Sequence, residues 1–304
     1  RTDMTLSRRR FISISAAACV LAGRGEAASL HRWQGTALGA RASITLRHPD
    51  AVRITAAARL EIDRLEDVFS LYRGGSALSR LNAVGHLDNP PFELLDCLRL
   101  AGAAHHTTNG LFDPTVQPLW NLHARSHAAG RKPSAAEVQR TRQSCGWARV
   151  FNDATFVRLG KGMALTLNGI AQGYIADRVA DLFRAEGLTD VMIDTGELRA
   201  LGGNPQGGAW QVTLDSPSRP VIGLQNRALA SSSALGTVLD EHGQVGHIID
   251  PRTGWPVPPL WNLVSVSAET AAVADALSTA MCLMTRPQIT DTLAGLTGVA
   301  VTLS

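Results

Sequence analysis

The chain has 304 residues, 45% of them hydrophobic and 18% charged, which is enough apolar sequence for one large domain or two small ones. A net charge of +3 is too small to suggest a nucleic-acid-binding surface, and part of it lies in Arg8, Arg9 and Arg10. The four cysteines (Cys19, Cys97, Cys145, Cys282) show neither a CxxC pair nor metal-ligand spacing, so no disulfide framework is expected.

In chain order, Ser7-Arg-Arg-Arg-Phe-Ile12 and the apolar run 13–22 predict a twin-arginine export signal over residues 1–28, with small residues at 25–28 as the cleavage site. The run is too short for a transmembrane helix. A lipobox ending at Cys19 is the competing reading, but Ala16 stands where leucine is normally expected. The expectation is one domain over 29–304, exported folded to the periplasm, with no transmembrane segment in the mature chain. Residues 37–46 alternate as a strand does, and 51–68 place Ile54, Ala58, Ile62 and Leu65 on one helical face. A second helix is predicted over 92–107, where the adjacent His105 and His106 point apart and make a poor metal pair. Residues 123–133 read as a loop and 135–145 as a short helix. Residues 150–159 and 163–167 read as a hairpin around Gly160-Lys161-Gly162.

The stretch 166–202 follows, a turn at Asn168-Gly169, a helix carrying Ile175, Val179, Leu182 and Phe183, a left-handed C-cap at Gly187, and a strand from Val191. Glycines 169 and 173 flank the helix start, where unpaired N–H groups suit an anion such as phosphate. The same strand–glycine–helix unit also occurs in α/β folds that bind nothing. Beyond a strand at 210–214, residues 269–285 read as a helix with Val273, Leu277, Ala280, Met281 and Met284 as its core stripe. Asp275 and Thr279 lie four apart on the opposite face with Ser278 beside them, so their oxygens can converge; a solvated polar face would look the same.

Three blocks in order carry a family resemblance: TLNGIAQGYIADRVADLFRAEGL with ELRALG, then His247-Ile-Ile-Asp-Pro-Arg-Thr-Gly254, then Ala274-Asp275-Ala-Leu-Ser-Thr279-Ala. Together they resemble the ApbE family of FAD:protein FMN transferases from about Trp33 to the C-terminus. The resemblance implies an α+β ApbE-type fold with mixed or antiparallel sheets and packed helices. It also implies Mg²⁺-dependent transfer of FMN from FAD, as substrate, to a threonine or serine of a periplasmic or membrane redox flavoprotein, with AMP released. The ligands it implies for the metal are Asp275, Thr279, the backbone at Gly169 and, with a less certain counterpart, Ser278. Its flavin and nucleotide contacts would be Leu38, Tyr72, Leu111, Phe112, Asp113, Thr166, Gln172 and Ile249. His247 and Asp250 are its catalytic candidates, His247 as a proton relay for the incoming hydroxyl.

Two departures stand out. Thr166 replaces a usual aspartate and Gln172 a frequent lysine or glutamate, each losing a charge. The TLNGIAQGY variant with its arginine-rich leader is similar to the NosX-like subgroup, for which a NosR-like acceptor is the natural partner. The alternatives are an FAD pyrophosphatase giving FMN and AMP, and a non-catalytic periplasmic flavin-binding or delivery protein.

Overall fold

The computed structural model describes residues 12–14 and 29–304. Its elements in chain order are β1 (Ile12–Ile14), β2 (Leu30–Ala37), β3 (Ala40–Arg47), α1 (Ala51–Phe69), α2 (Ala77–Val84), β4 (His86–Asp88), α3 (Phe92–Thr107), α4 (Gln117–Ala128), α5 (Ala135–Arg142), β5 (Val150–Asn152), β6 (Phe156–Leu159), α6 (Ala171–Ala185), β7 (Val191–Asp194), β8 (Leu198–Leu201), β9 (Trp210–Leu214), β10 (Val221–Leu224), β11 (Ala228–Ser232), β12 (Val264–Ala268), α7 (Ala271–Met281), α8 (Arg286–Ala294) and β13 (Ala300–Leu303). Apart from β1, the expected export signal, its cleavage site and the lipobox at Cys19 lie outside the described residues.

The fold is α+β. Seven antiparallel strands form the main sheet in the order β13-β12-β11-β8-β7-β3-β2, and β1-β9-β10 and β4-β6-β5 form two smaller sheets. Strands β7, β8 and β12 are buried along their whole length, because each face of the sheet is covered. On one face Ile44, Val191, Ile193 and Val266 join the core of α1, α6 and α7. On the other, Met192, Leu198 and Ala200 meet Trp210 and Val212 of β9. Burial on two sides explains why Val191-Met-Ile193 reads as a continuous apolar run and does not alternate.

Several predicted elements form as the apolar periodicity requires, including α1, α3 and α6. Gly187 has φ +78° and Leu188 N donates to Phe183 O at 3.0 Å, a Schellman-type closure of α6. Cys97 and Cys282 are buried, and with Cys145 they are free thiols. Burial pushes Cys282 up to about 12.

Four expectations are corrected. Residues 37–46 are two strands, β2 ending and β3 beginning around a hairpin turn in which Leu38 and Gly39 both have positive φ. Residues 163–167 form no strand: Leu165 N donates to Asn82 Oδ1 and Thr166 N to Pro114 O, so side chain and loop take the bonds a strand partner would have taken. The hairpin is β5–β6 and turns at Asp153, whose carboxylate accepts from Thr155 N and Phe156 N. Residues 123–128 belong to α4, because His123 is an inward-facing residue of that helix and not part of a polar loop.

His123 is fully buried and its Nε2 lies 2.8 Å from Gly254 O, while Nδ1 has no partner among the described residues. Nε2 therefore donates, and burial holds the imidazole pKa below 6.5. A histidine kept neutral in the fold but free to protonate when unfolded lowers stability as pH falls below 6.5 toward the folded-state pKa. Urea unfolding of wild type and His123→Gln between pH 5 and 8 should show a stability difference that changes with pH by up to about 1.4 kcal/mol per unit. Parallel pH profiles would count against this role.

Candidate functional site

The loop between α6 and the preceding segment meets α7 at one place. A Cβ on Gly169 would lie 3.0 Å from Thr279 Oγ1 and 3.3 Å from the Phe112 ring, so the backbone here lies close to both and a larger residue would have to push them back. Ser278 Oγ is 2.7 Å from Ser232 Oγ at the end of β11, and Thr279 Oγ1 is 3.5 Å from the same atom. Asp275, 3% exposed, accepts from Gly173 N through Oδ2 at 3.2 Å. The polar face of α7 is an internal one, with Asp275 and Ser278 buried between α6, β11 and the Gly169 turn. Phe112, Gly169, Asp275, Ser278 and Thr279 come together here.

The donor set suits a small hard cation. One carboxylate, three hydroxyls and a glycine turn offer oxygens only, the donors that hard cations prefer. Few protein oxygens, with positions left for phosphate and water, is the Mg²⁺ pattern.

Residues that the sequence reading did not single out as site candidates hold this cluster in place. Asp177, on α6, caps α7: its two carboxylate oxygens accept from Ala271 N and Ala272 N, each at 2.9 Å. Arg199 of β8, almost fully buried, approaches the same carboxylate at 3.2 Å. Burial raises the Asp177 pKa, against the pull of the two N–H donors and Arg199. Glu197 accepts from Ser231 N, ordering β11 next to Ser232. Ser232 lies in the run Ser231-Ser-Ser233, but no spacing rule pairs it with Ser278. The one available signal was the alternation D-x-x…E-x-R inside the glycine-rich block.

The remaining candidates fall into three groups. Asp113 Oδ1 accepts from Thr115 N at 2.9 Å and Thr115 Oγ1 at 2.7 Å, a turn cap, and the bond from Thr166 N to Pro114 O sets Thr166 beside it. Leu111 is buried at the edge of a cavity of about 460 Å³ that Arg252 also lines. Gln172 is buried with Nε2 lacking a partner among the described residues, and a Cβ on Gly196 would fall 2.6 Å from that nitrogen. Such a buried, aimed donor is a suitable contact for a ligand oxygen.

The His247 block is a loop. His247 Nδ1 lies 3.1 Å from Thr237 O, which assigns the proton to Nδ1 and leaves Nε2 the basic nitrogen. Asp250 is tied into its own turn: Oδ1 accepts from Arg252 N at 2.9 Å and Oδ2 from Arg252 Nη2 at 2.7 Å. Burial would raise its pKa, but the Arg252 guanidinium and backbone donors hold it below the usual carboxylate range. Its contacts are those of a loop-shaping residue. Ile249 packs with Leu119 and Val138.

Leu38 and Arg73, the neighbour of Tyr72, have polar contacts with α1, while Tyr72 N donates to Ser70 Oγ at 3.1 Å. Leu38 N donates to Glu66 Oε1 at 2.7 Å, and Arg73, next to Tyr72, pairs with Glu66, Asp63 and Asp67. Glu66 therefore links the two loops. Tyr72 is 74% exposed, an aromatic face open to solvent and to a planar ligand. His105 is used locally, with Nδ1 2.8 Å from Phe112 O.

The model of the ApbE family matches residues 38–303. Similar curated proteins include the FAD:protein FMN transferase of Vibrio cholerae, 28% identical over 91% of this chain and 88% of its own length. The FAD:protein FMN transferase of Haemophilus influenzae is 27% identical over 78% of this chain and 76% of its own. Among solved structures, the ApbE protein of Thermotoga maritima superposes with a TM-score of 0.81 at 25% identity, covering 90% of this chain and 94% of that one. The apo flavinyl transferase ApbE of Pseudomonas stutzeri gives 0.79 at 22% identity, over 91% and 94%, which is a likeness of fold.

Proposed function

The chain belongs to the ApbE family and is an enzyme of the FAD:protein FMN transferase class, and from that premise we propose that it moves FMN from FAD to a threonine or serine of a periplasmic or membrane redox flavoprotein. The observation that carries this reading is the meeting of Gly169, Ser232, Asp275, Ser278 and Thr279 beside the Phe112 ring. In the reaction the acceptor hydroxyl oxygen bonds to the FMN phosphorus of FAD, the bond from that phosphorus to the bridging pyrophosphate oxygen breaks, and AMP leaves with the electron pair. The hydroxyl proton passes to His247 Nε2 and then to solvent.

Such chemistry needs positioning and charge neutralisation more than covalent help. Asp275, Ser278, Thr279 and the Gly169 backbone would hold Mg²⁺, which when bound neutralises charge on the pyrophosphate. Gln172 Nε2 supplies a donor where many relatives place a charge, and Thr166 a hydroxyl where they place a carboxylate. Tyr72 and Leu38 form an open platform for the isoalloxazine ring. Export by the twin-arginine route, a NosX-like assignment and a NosR-like acceptor are consistent with the arginine pair at the N-terminus and the TLNGIAQGY block. Among the described residues no helix is long and apolar enough to cross a membrane.

The test mixes the protein with FAD, Mg²⁺ and a threonine-bearing flavoprotein domain, then reads in-gel flavin fluorescence after denaturation together with AMP release. A fluorescent acceptor that disappears with EDTA supports the proposal. AMP without labelling favours a pyrophosphatase, and tight FAD binding with neither product favours a carrier. In the same assay His247→Gln should lower kcat by roughly 10²–10⁴-fold, the range for removing a general base, with FAD affinity unchanged. Wild-type turnover in that variant would assign the proton to another acceptor.

A further inference from the structure

Charge is distributed very unevenly along this chain. Residues 117–165 carry eight Lys or Arg and only two Asp or Glu, a net of +6, whereas the remainder of 29–304 carries sixteen and twenty-two, a net of −6. The near-neutral total conceals that separation. The basic segment comprises α4, which packs on α5, and the β5–β6 hairpin, whose β6 also pairs with β4.

Four of its eight cations, Arg125, Arg140, Arg158 and Lys161, line a cavity of about 870 Å³ together with His86, with no Asp or Glu in the wall. Elsewhere about half of the arginines are neutralised among the described residues: Arg53, Arg64, Arg73, Arg99, Arg184 and Arg252, for example, each pair with a carboxylate. Among the described residues Arg125, Arg140, Arg158 and Lys161 make no ion pair, and only His86 has an acidic neighbour, Asp88 at 2.7 Å. The Arg158 guanidinium is held over two rings, 5.4 Å from the Phe151 centroid and 5.9 Å from that of Phe156. Gathering like charges in a concave wall is unfavourable until an anion enters, and it focuses the field outward.

The cavity adjoins the proposed site. Ala164 lines it and Thr166 follows two residues on. On the other side of α4 and α5, His123 bonds Gly254 O, Arg142 bonds Arg252 O, and Val138 and Leu119 pack on Gly254, so these helices are joined to the His247–Gly254 loop.

We propose that this basic cavity is the docking surface for an acidic face of the acceptor protein, holding it while its hydroxyl reaches the flavin site. The inference rests on the transferase reading for the identity of the partner as acceptor. A protein partner fits because the positive charge is spread over α4, α5, β6 and the turn at Lys161, wider than one small anion needs.

The test uses two threonine-bearing peptides that differ only in flanks, four aspartates or four serines, and the variant Arg125→Glu/Arg140→Glu/Lys161→Glu. All three replaced side chains are exposed, and a thermal melt checks the fold. Anisotropy of the labelled peptides measures docking without chemistry, and flavin labelling measures transfer. Expected for wild type is about tenfold tighter binding and about tenfold lower KM for the aspartate peptide in 50 mM salt, vanishing near 0.5 M. The variant should lose that preference with kcat and acceptor-free AMP release unchanged. Equal affinity for both peptides, a preference that survives in the variant, or tighter binding of duplex DNA or phosphatidylglycerol vesicles than of the aspartate peptide would overturn the proposal. Cation-dependent docking without labelling would instead retain the surface and count against the transferase reading.

Discussion

Asp275→Asn is expected to fold like the wild type and to lose flavin transfer by roughly 10²–10³-fold or more, the cost of removing one preorganised electrostatic contact. The asparagine keeps the size of the side chain and an oxygen able to accept from Gly173 N, which Asp275 now does at 3.2 Å. What it lacks is the charge, the only carboxylate in a cluster otherwise built of Ser232, Ser278 and Thr279 hydroxyls. At 3% exposure that charge acts in a medium far less polarisable than water, so its loss is felt strongly by any cation placed there. Asp275→Ala should be worse in a second way. It also leaves Gly173 N without its acceptor, a cost of about 1–3 kcal/mol, so its melting temperature should fall where that of Asp275→Asn does not. Calorimetric Mg²⁺ titration in the presence of FAD should show binding in the wild type and little in either variant. Asp275→Asn with full transfer and unchanged Mg²⁺ binding would remove the metal assignment.

The apolar pattern of this chain made its helices legible, since the 3.6-residue stripe of Ile54, Ala58, Ile62 and Leu65 appears on the buried face of α1. Position 275 and position 279 were legible as a pair for the same reason of helical spacing. That they face inward was not, because α7 consists mostly of small residues and buries both sides: its neighbours α6, β11 and β12 are brought there by the sheet. Residues 163–167 misled because their composition is that of a strand while their bonds go to Asn82 and Pro114, 83 residues away in the case of Leu165 and Asn82. Polar partnerships across such distances leave no local trace. Asp177 at the start of α7, Glu66 between the Leu38 and Tyr72 loops, and Ser232 against Ser278 are all of that kind. His123 was placed in a loop because its surroundings are polar and small, yet it faces the turn at Gly254. The charge separation was present in the sequence but invisible in its sum.

Gly173→Ala tests how the site is held at the level of the backbone. A Cβ there would lie 2.2 Å from Ala271 O, 2.4 Å from Ala271 C and 2.7 Å from Ala272 N. These are main-chain atoms of the first turn of α7, so no side-chain rotation relieves the overlap; α6 and α7 must separate. That separation is opposed from two sides. Asp177, one turn further along α6, grips Ala271 N and Ala272 N, and Gly173 N itself donates to Asp275. Overpacking a close-packed interior commonly costs about 1–3 kcal/mol, and an obstacle made of backbone belongs at the upper end. For a chain of this size that corresponds to a melting temperature lower by roughly 5 °C. The larger effect should be on function, because any shift of the α7 start carries Asp275 and Thr279 away from Gly169. A displacement near 1 Å can cost about 10²-fold in rate when a reaction depends on placement. The expected signature is a folded protein whose Mg²⁺ affinity and transfer rate fall together, partly recovered at high Mg²⁺. A Gly173→Ala protein that melts as the wild type does and transfers flavin at the normal rate would mean that the two helices are not locked at this contact, and the placement of Asp275 would need another explanation.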